Sequence, residues 1–199
     1  MATLDLIFGP MMACKTTELL RRLIVDTEIG CNVKYITHSH DTRLHSGKES
    51  QYSTHNPLLK HDEQISKIKM IKLSSMSQIF DEGISNLSNI DVIGIDEAQF
   101  FDDLYEVVKT LVEKHSIKVI VSGLDGDSNR QTFGKILSLI PLADSVVKIL
   151  PYCMNCSTKK KRVLAPFTYK KSMSSSLVDV GGCDKYMPVC RECYLKLTI

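Results

Sequence analysis

No stretch of this sequence is apolar for the roughly 20 residues that a membrane-spanning helix needs. Neither sign of charge dominates: 25 basic and 23 acidic residues leave a net charge of +2. A chain whose main task is to coat nucleic acid carries a larger basic excess. The first ten residues lack the basic start and the apolar run of a secretory leader. The expected compartment is therefore the cytoplasm, with no membrane and no nucleic acid among the partners. Nothing repeats at a fixed spacing, which sets aside solenoid and array folds. The seven cysteines are an odd number, and in a reducing compartment they read as metal ligands or free thiols rather than disulfides.

What is present fits a globular chain. Of 199 residues, 43% are hydrophobic and 24% charged, enough for one sizeable core and a small satellite. Residues 3–8 read as a first strand stopped by Gly9-Pro10, and residues 15–28 as a helix with Leu19, Leu20, Leu23 and Ile24 on one face. Further strands are predicted at 33–37, 69–73, 92–95, 117–121 and 146–150, and helices at 78–87 and around Leu104 to Val112. Residues 38–68 are polar and aperiodic, as a long functional loop would be. This alternation predicts an α/β domain with a mainly parallel sheet over residues 1–150. From Pro151 the texture changes to cysteines, the basic run Lys159 to Arg162 and a serine cluster. Residues 151–199 are expected to form a separate, smaller domain.

Three clusters carry chemistry. The first is Gly9-Pro10-Met11-Met12-Ala13-Cys14-Lys15-Thr16-Thr17, placed between a predicted strand and a predicted helix. In such a phosphate-binding loop the backbone N–H groups cradle phosphate oxygens, the lysine (Lys15) reaches the β and γ phosphates, and the hydroxyl of Thr16 meets Mg²⁺. The usual pattern has glycine where this chain has Cys14, a position that disfavours a Cβ. The bland alternative is a strand-turn-helix with a chance Lys-Thr pair. A thiol this close to bound phosphate is expected to react with alkylating agents, with ATP protecting it.

The second cluster is Asp96-Glu97, at the end of an apolar strand. Asp96 suits a carboxylate that holds Mg²⁺ through its water shell, and Glu97 a general base. That role predicts the 92–95 strand beside the first strand. A plain helix N-cap is the alternative. Together with the loop, the pair implies Mg-ATP phosphoryl transfer without naming the acceptor.

The third cluster is two C-x-x-C knuckles, Cys153/Cys156 and Cys190/Cys193, with residues 157–189 between them. Four thiolates close a tetrahedral shell around Zn²⁺, and an all-sulfur shell marks a structural metal.

Several ordered blocks now make the chain resemble the cytosolic-type (type II) thymidine kinases over nearly its whole length. They are Gly9 to Arg22, Asp41-Thr42-Arg43, Asp96 to Phe101, Leu124-Asp125-Gly126 followed by Arg130 and Phe133-Gly134, and Gly181-Gly182 to Tyr186, with the cysteine pairs around the last. The resemblance implies transfer of the γ-phosphoryl of ATP to the 5′-hydroxyl of thymidine. Glu97 would take the proton, with Arg43 steadying the transferring charge and Asp41 supporting Arg43. Met11, Phe100, Leu124, Phe133 and Tyr186 match positions that line the thymine pocket, and Leu177, Val178 and Asp179 fall in the lasso that closes over the base. A homotetramer and feedback inhibition by thymidine triphosphate are also implied. Cys14, the Asp127-Ser128 pair and Thr132 depart from the family pattern and touch loop geometry and nucleoside selectivity. The competing readings are a P-loop ATPase acting on nucleic acid and a non-enzymatic zinc module.

Overall fold

The fold is described from a computed structural model, over residues 2–40, 63–81, 87–171 and 184–198. Six strands form one sheet: β1 (Leu4–Phe8), β2 (Val33–His38), β3 (Lys69–Leu73), β4 (Val92–Ile95), β5 (Lys118–Gly123) and β6 (Ser145–Lys148), in the order β3-β2-β4-β5-β1-β6. Every pairing is parallel. Parallel strands need covering on both faces, and the two-residue alternation supplies it. Leu4, Leu6, Phe8, Val119 and Val121 bury into one apolar layer with Leu104, Val107, Val108 and Leu111 of helix α3 (Leu104–Glu113). Ile7 and Ile120 point the other way, onto Leu19, Leu20 and Leu23 of helix α1 (Lys15–Glu28). A short helix α2 (Glu63–Lys67) precedes β3.

Two expectations change. The acid-bearing strand β4 does not lie beside β1, because β5 is hydrogen-bonded between them. The carboxylate nevertheless reaches the loop after β1, since parallel strands bring all their C-terminal ends to one edge. The helix expected over 78–87 is a 3₁₀ turn, Met76–Phe80, with a second turn at Leu87–Asn89; residues 82–86 lie outside the described set. Its start is clamped by side chains: Asp103 accepts from the N–H groups of Met76 and Ser77, and Gln78 from those of Ser74 and Ser75. The chain then leaves in an extended conformation at Asp81.

Beyond β6, helix α4 (Met154–Ser157), strands β7 (Phe167–Lys170) and β8 (Tyr186–Val189) and helix α5 (Arg191–Leu197) follow. β7 and β8 pair antiparallel. Cys153, Ala165, Val189, Cys190 and Tyr194 form a small core of their own.

Candidate active site and metal centre

The loop after β1 is built on backbone that most residues avoid. Gly9 has φ +153, and a Cβ there would lie 2.1 Å from the carbonyl oxygen of Ile149. Met12 (φ 62) and Cys14 (φ 59) are both left-handed. Cys14 takes this conformation as the N-cap of α1, where the usual pattern has glycine, at a cost of about 1–2 kcal/mol for its Cβ. The side chain of Cys14 is exposed. Lys15 Nζ donates to the Pro10 carbonyl at 2.8 Å, which holds the ammonium over its own loop.

Asp96 is buried at 2% exposure, and three hydroxyls converge on it. Thr16 Oγ1 and Tyr35 OH each donate to Oδ2 at 2.7 Å, and Ser122 Oγ donates to Oδ1 at 2.9 Å. Burial raises its pKa, as does the neighbouring Glu97, while the three hydroxyls act in the opposite direction. Tyr35 and Ser122 escaped the sequence reading because they lie 61 and 26 residues from Asp96; only the strand order brings β2, β4 and β5 side by side.

Glu97 is left-handed (φ 51) and caps a 3₁₀ turn, Ala98–Phe100. A non-glycine residue held this way costs on the order of 1–3 kcal/mol and tends to mark functional sites. Gln99 Nε2 donates to Glu97 Oε2 at 2.6 Å. Leu124 N–H in turn donates to Gln99 Oε1 at 2.9 Å. Phe100 meets Phe133 edge to face at 5.7 Å. Its ring also neighbours His38, at 5.7 Å, and His40, at 6.3 Å, neither of which the sequence singled out. His38 Nδ1 accepts from the N–H of His40, so Nε2 carries the proton toward the Ser74 carbonyl. Burial of this ring, and after it the nearby His40, lowers its pKa.

Met11 N–H donates to Thr168 Oγ1 of β7 at 3.0 Å across 157 residues, so the C-terminal hairpin touches the phosphate loop directly. Tyr186 is buried in β8 at 7% exposure. Asp41, Arg43, Leu177, Val178 and Asp179 lie outside the described residues. Ser128 does not stand alone, since its carbonyl accepts from Tyr194 OH at 2.8 Å.

The four sulfurs of Cys153, Cys156, Cys190 and Cys193 lie within 4.8 Å of one another. Cys156 Sγ is 3.8 Å from Cys190 Sγ and 3.7 Å from Cys193 Sγ. A tetrahedron with Zn–S of about 2.3 Å has edges of about 3.8 Å, so the donor set fits zinc in both chemistry and size.

A parallel sheet, a strained loop leading into α1 and a buried aspartate bonded to the loop's threonine fit the P-loop class of nucleotide-using proteins. Comparison with known proteins refines this. A model of the thymidine kinase family matches residues 2–194. A thymidine kinase of Oryza sativa subsp. japonica is 40% identical over 194 residues, 96% of this chain and 66% of that protein. One from Choristoneura fumiferana entomopoxvirus is 36% identical over 198 residues, 96% of each chain. The cytosolic thymidine kinase of Bos taurus is 35% identical over 193 residues, 97% of this chain and 72% of that protein. The chain belongs to the thymidine kinase family.

Proposed function

We propose that this kinase transfers the γ-phosphoryl of ATP to the 5′-hydroxyl of thymidine, with Glu97 as the general base. The observation that carries the reading is the pairing of two acids with different surroundings. Asp96 is sealed under three hydroxyls, whereas Glu97, one residue on, is only half-buried and held by Gln99. Asp96 and Thr16 are hard oxygen donors that meet at 2.7 Å, which suits Mg²⁺. Bound there, Mg²⁺ would neutralise charge on the phosphates.

In the transfer, the Glu97 carboxylate accepts the proton of the 5′-hydroxyl as that oxygen bonds to the γ-phosphorus and the bond to the β-phosphate oxygen breaks. Lys15 steadies the β and γ phosphates, and the loop N–H groups hold them in line. Arg43, supported by Asp41, adds positive charge. Met11, Phe100, Leu124, Phe133 and Tyr186 enclose the base, with Leu177, Val178 and Asp179 closing over it. Zinc on the four cysteines is structural. Residues 1–150 act as the phosphoryl-transfer unit and residues 151–199 as the unit that closes over the nucleoside; the separate small core around the cysteines supports that division. Assembly as a homotetramer, feedback by thymidine triphosphate and a cytoplasmic location complete the reading. No helix among the described residues is long and apolar enough to cross a membrane.

The test is steady-state transfer from Mg-ATP to thymidine by the wild type and by Glu97→Gln, with a panel of other deoxynucleosides. Loss of a general base lowers kcat by about 10²- to 10⁴-fold. Full activity of Glu97→Gln removes it as the base. Transfer to no nucleoside, with ATP hydrolysed only when DNA is added, overturns the whole reading.

A further inference from the structure

The side chain of Gln99 is 3% exposed and stands between the two halves of the site. Its amide orientation is not ambiguous. The Leu124 N–H can only donate, so the atom it meets at 2.9 Å is Oε1. Nε2 must then face Glu97 Oε2, at 2.6 Å, and donate to it. The residue is also seated by close packing. A Cβ on Gly134 would lie 2.2 Å from the Gln99 carbonyl oxygen, and one on Gly123 would lie 2.7 Å from Gln99 Oε1. Gln99 thus cannot flip its amide without losing both hydrogen bonds. Its two anchors, Gly123-Leu124 and Phe133-Gly134, belong to the segments read as the walls of the base pocket.

We propose that Gln99 is a positioning residue: its amide holds the Glu97 carboxylate in line for the 5′-hydroxyl and ties that carboxylate to the backbone of the base pocket at Leu124. The assignment rests on Glu97 being the base. It predicts a defect in the chemical step rather than in binding, because the group that moves is the one that takes the proton. It also predicts that the seating of the base is felt at the reacting oxygen through one rigid side chain. The left-handed backbone at Glu97 strengthens the need for such a tether, since that conformation is not the one the residue adopts by itself.

The experiment is a double-mutant kinetic cycle in the full chain. Gln99→Met keeps the length of the side chain and removes both hydrogen bonds. Its kcat is expected to fall about 10- to 100-fold, as small misplacements of a reacting group do, with KM for thymidine and for ATP within about 3-fold of wild type. Placed on Glu97→Gln, the same change should cost nothing further, because Gln99 acts only through Glu97. A wild-type kcat, a loss confined to KM, or an equal further loss in the Glu97→Gln background each overturns the proposal. Should Gln99→Met fail to fold, Gln99→Glu serves, since it keeps an acceptor for Leu124 N–H and sets a second carboxyl against Glu97 in place of the donor. A comparable fall in its kcat with KM for thymidine unchanged supports the action of position 99 on the Glu97 carboxylate, and wild-type turnover overturns the tether. Full activity of Glu97→Gln sinks the base assignment itself and is read separately.

Discussion

Around the parallel sheet, buried side chains from Leu4 to Leu139 form two continuous apolar layers, one on each face. In the C-terminal segment, the core cluster among the described residues is only Cys153, Ala165, Val189, Cys190 and Tyr194. The first region has ample apolar burial, at about 1.5–3 kcal/mol for each large side chain, to offset chain entropy. The second does not, and two of the five residues of its core cluster are proposed metal ligands. Left-handed backbone occurs in both regions, at Met12, Cys14 and Glu97 beside the sheet and at Lys160 in the smaller segment, where a metal on the four cysteines would replace the missing core.

Stripping zinc, or Cys153→Ser, should have the largest effect. Structural zinc in small modules is worth on the order of 10 kcal/mol or more. Residues 151–199 should become protease-sensitive and thymidine binding should be lost, while far-UV circular dichroism of the sheet persists. Metal-free protein with unchanged proteolysis and thymidine affinity would erase the contrast between the regions.

Cys14→Gly probes the strain on the sheet side. Glycine adopts φ 59 without the Cβ clash, so the variant should be more stable by about 1 kcal/mol in denaturant unfolding. It should also lose sensitivity to alkylation at the phosphate loop, which ATP-protection assays on the wild type would show in parallel. Lower stability of Cys14→Gly would mean that the loop does not carry its strain at this residue.

The smallest effect is expected where the two regions are tied. The Arg130 guanidinium lies 4.3 Å from the ring centroid of Tyr194 and 5.6 Å from that of Phe167. Arg130→Gln should cost about 0.5–1 kcal/mol. The loss should appear in the unfolding of the C-terminal segment and leave the midpoint of the sheet in place, as monitored by hydrogen exchange. An equal loss in both would mean that they unfold as one unit.

Much of the candidate site was legible in the sequence because its parts are local. The loop from Gly9 to Thr17 is contiguous between a strand and a helix, and α1 forms over residues 15–28 as its leucine spacing predicts. The four cysteines come as two tight pairs, and ligand type with spacing is enough to suggest a shared metal. The turn over Met76–Phe80 was misread because its backbone donors are taken by Gln78 and Asp103 side chains, a competition that apolar periodicity does not register.

By itself the sequence determined the strand-loop-helix that carries the candidate phosphate loop, the acidic pair, the two cysteine pairs and the α/β character, since each depends on residues that are neighbours along the chain. Only the tertiary structure decided that β5 separates β4 from β1, that Tyr35 and Ser122 close over Asp96, that Thr168 reaches Met11 and that Gln99 bridges Glu97 to Leu124. These contacts depend on strand order and on which ends of parallel strands meet at one edge. That is fixed by how the apolar faces of all the elements pack together, and no single segment encodes it.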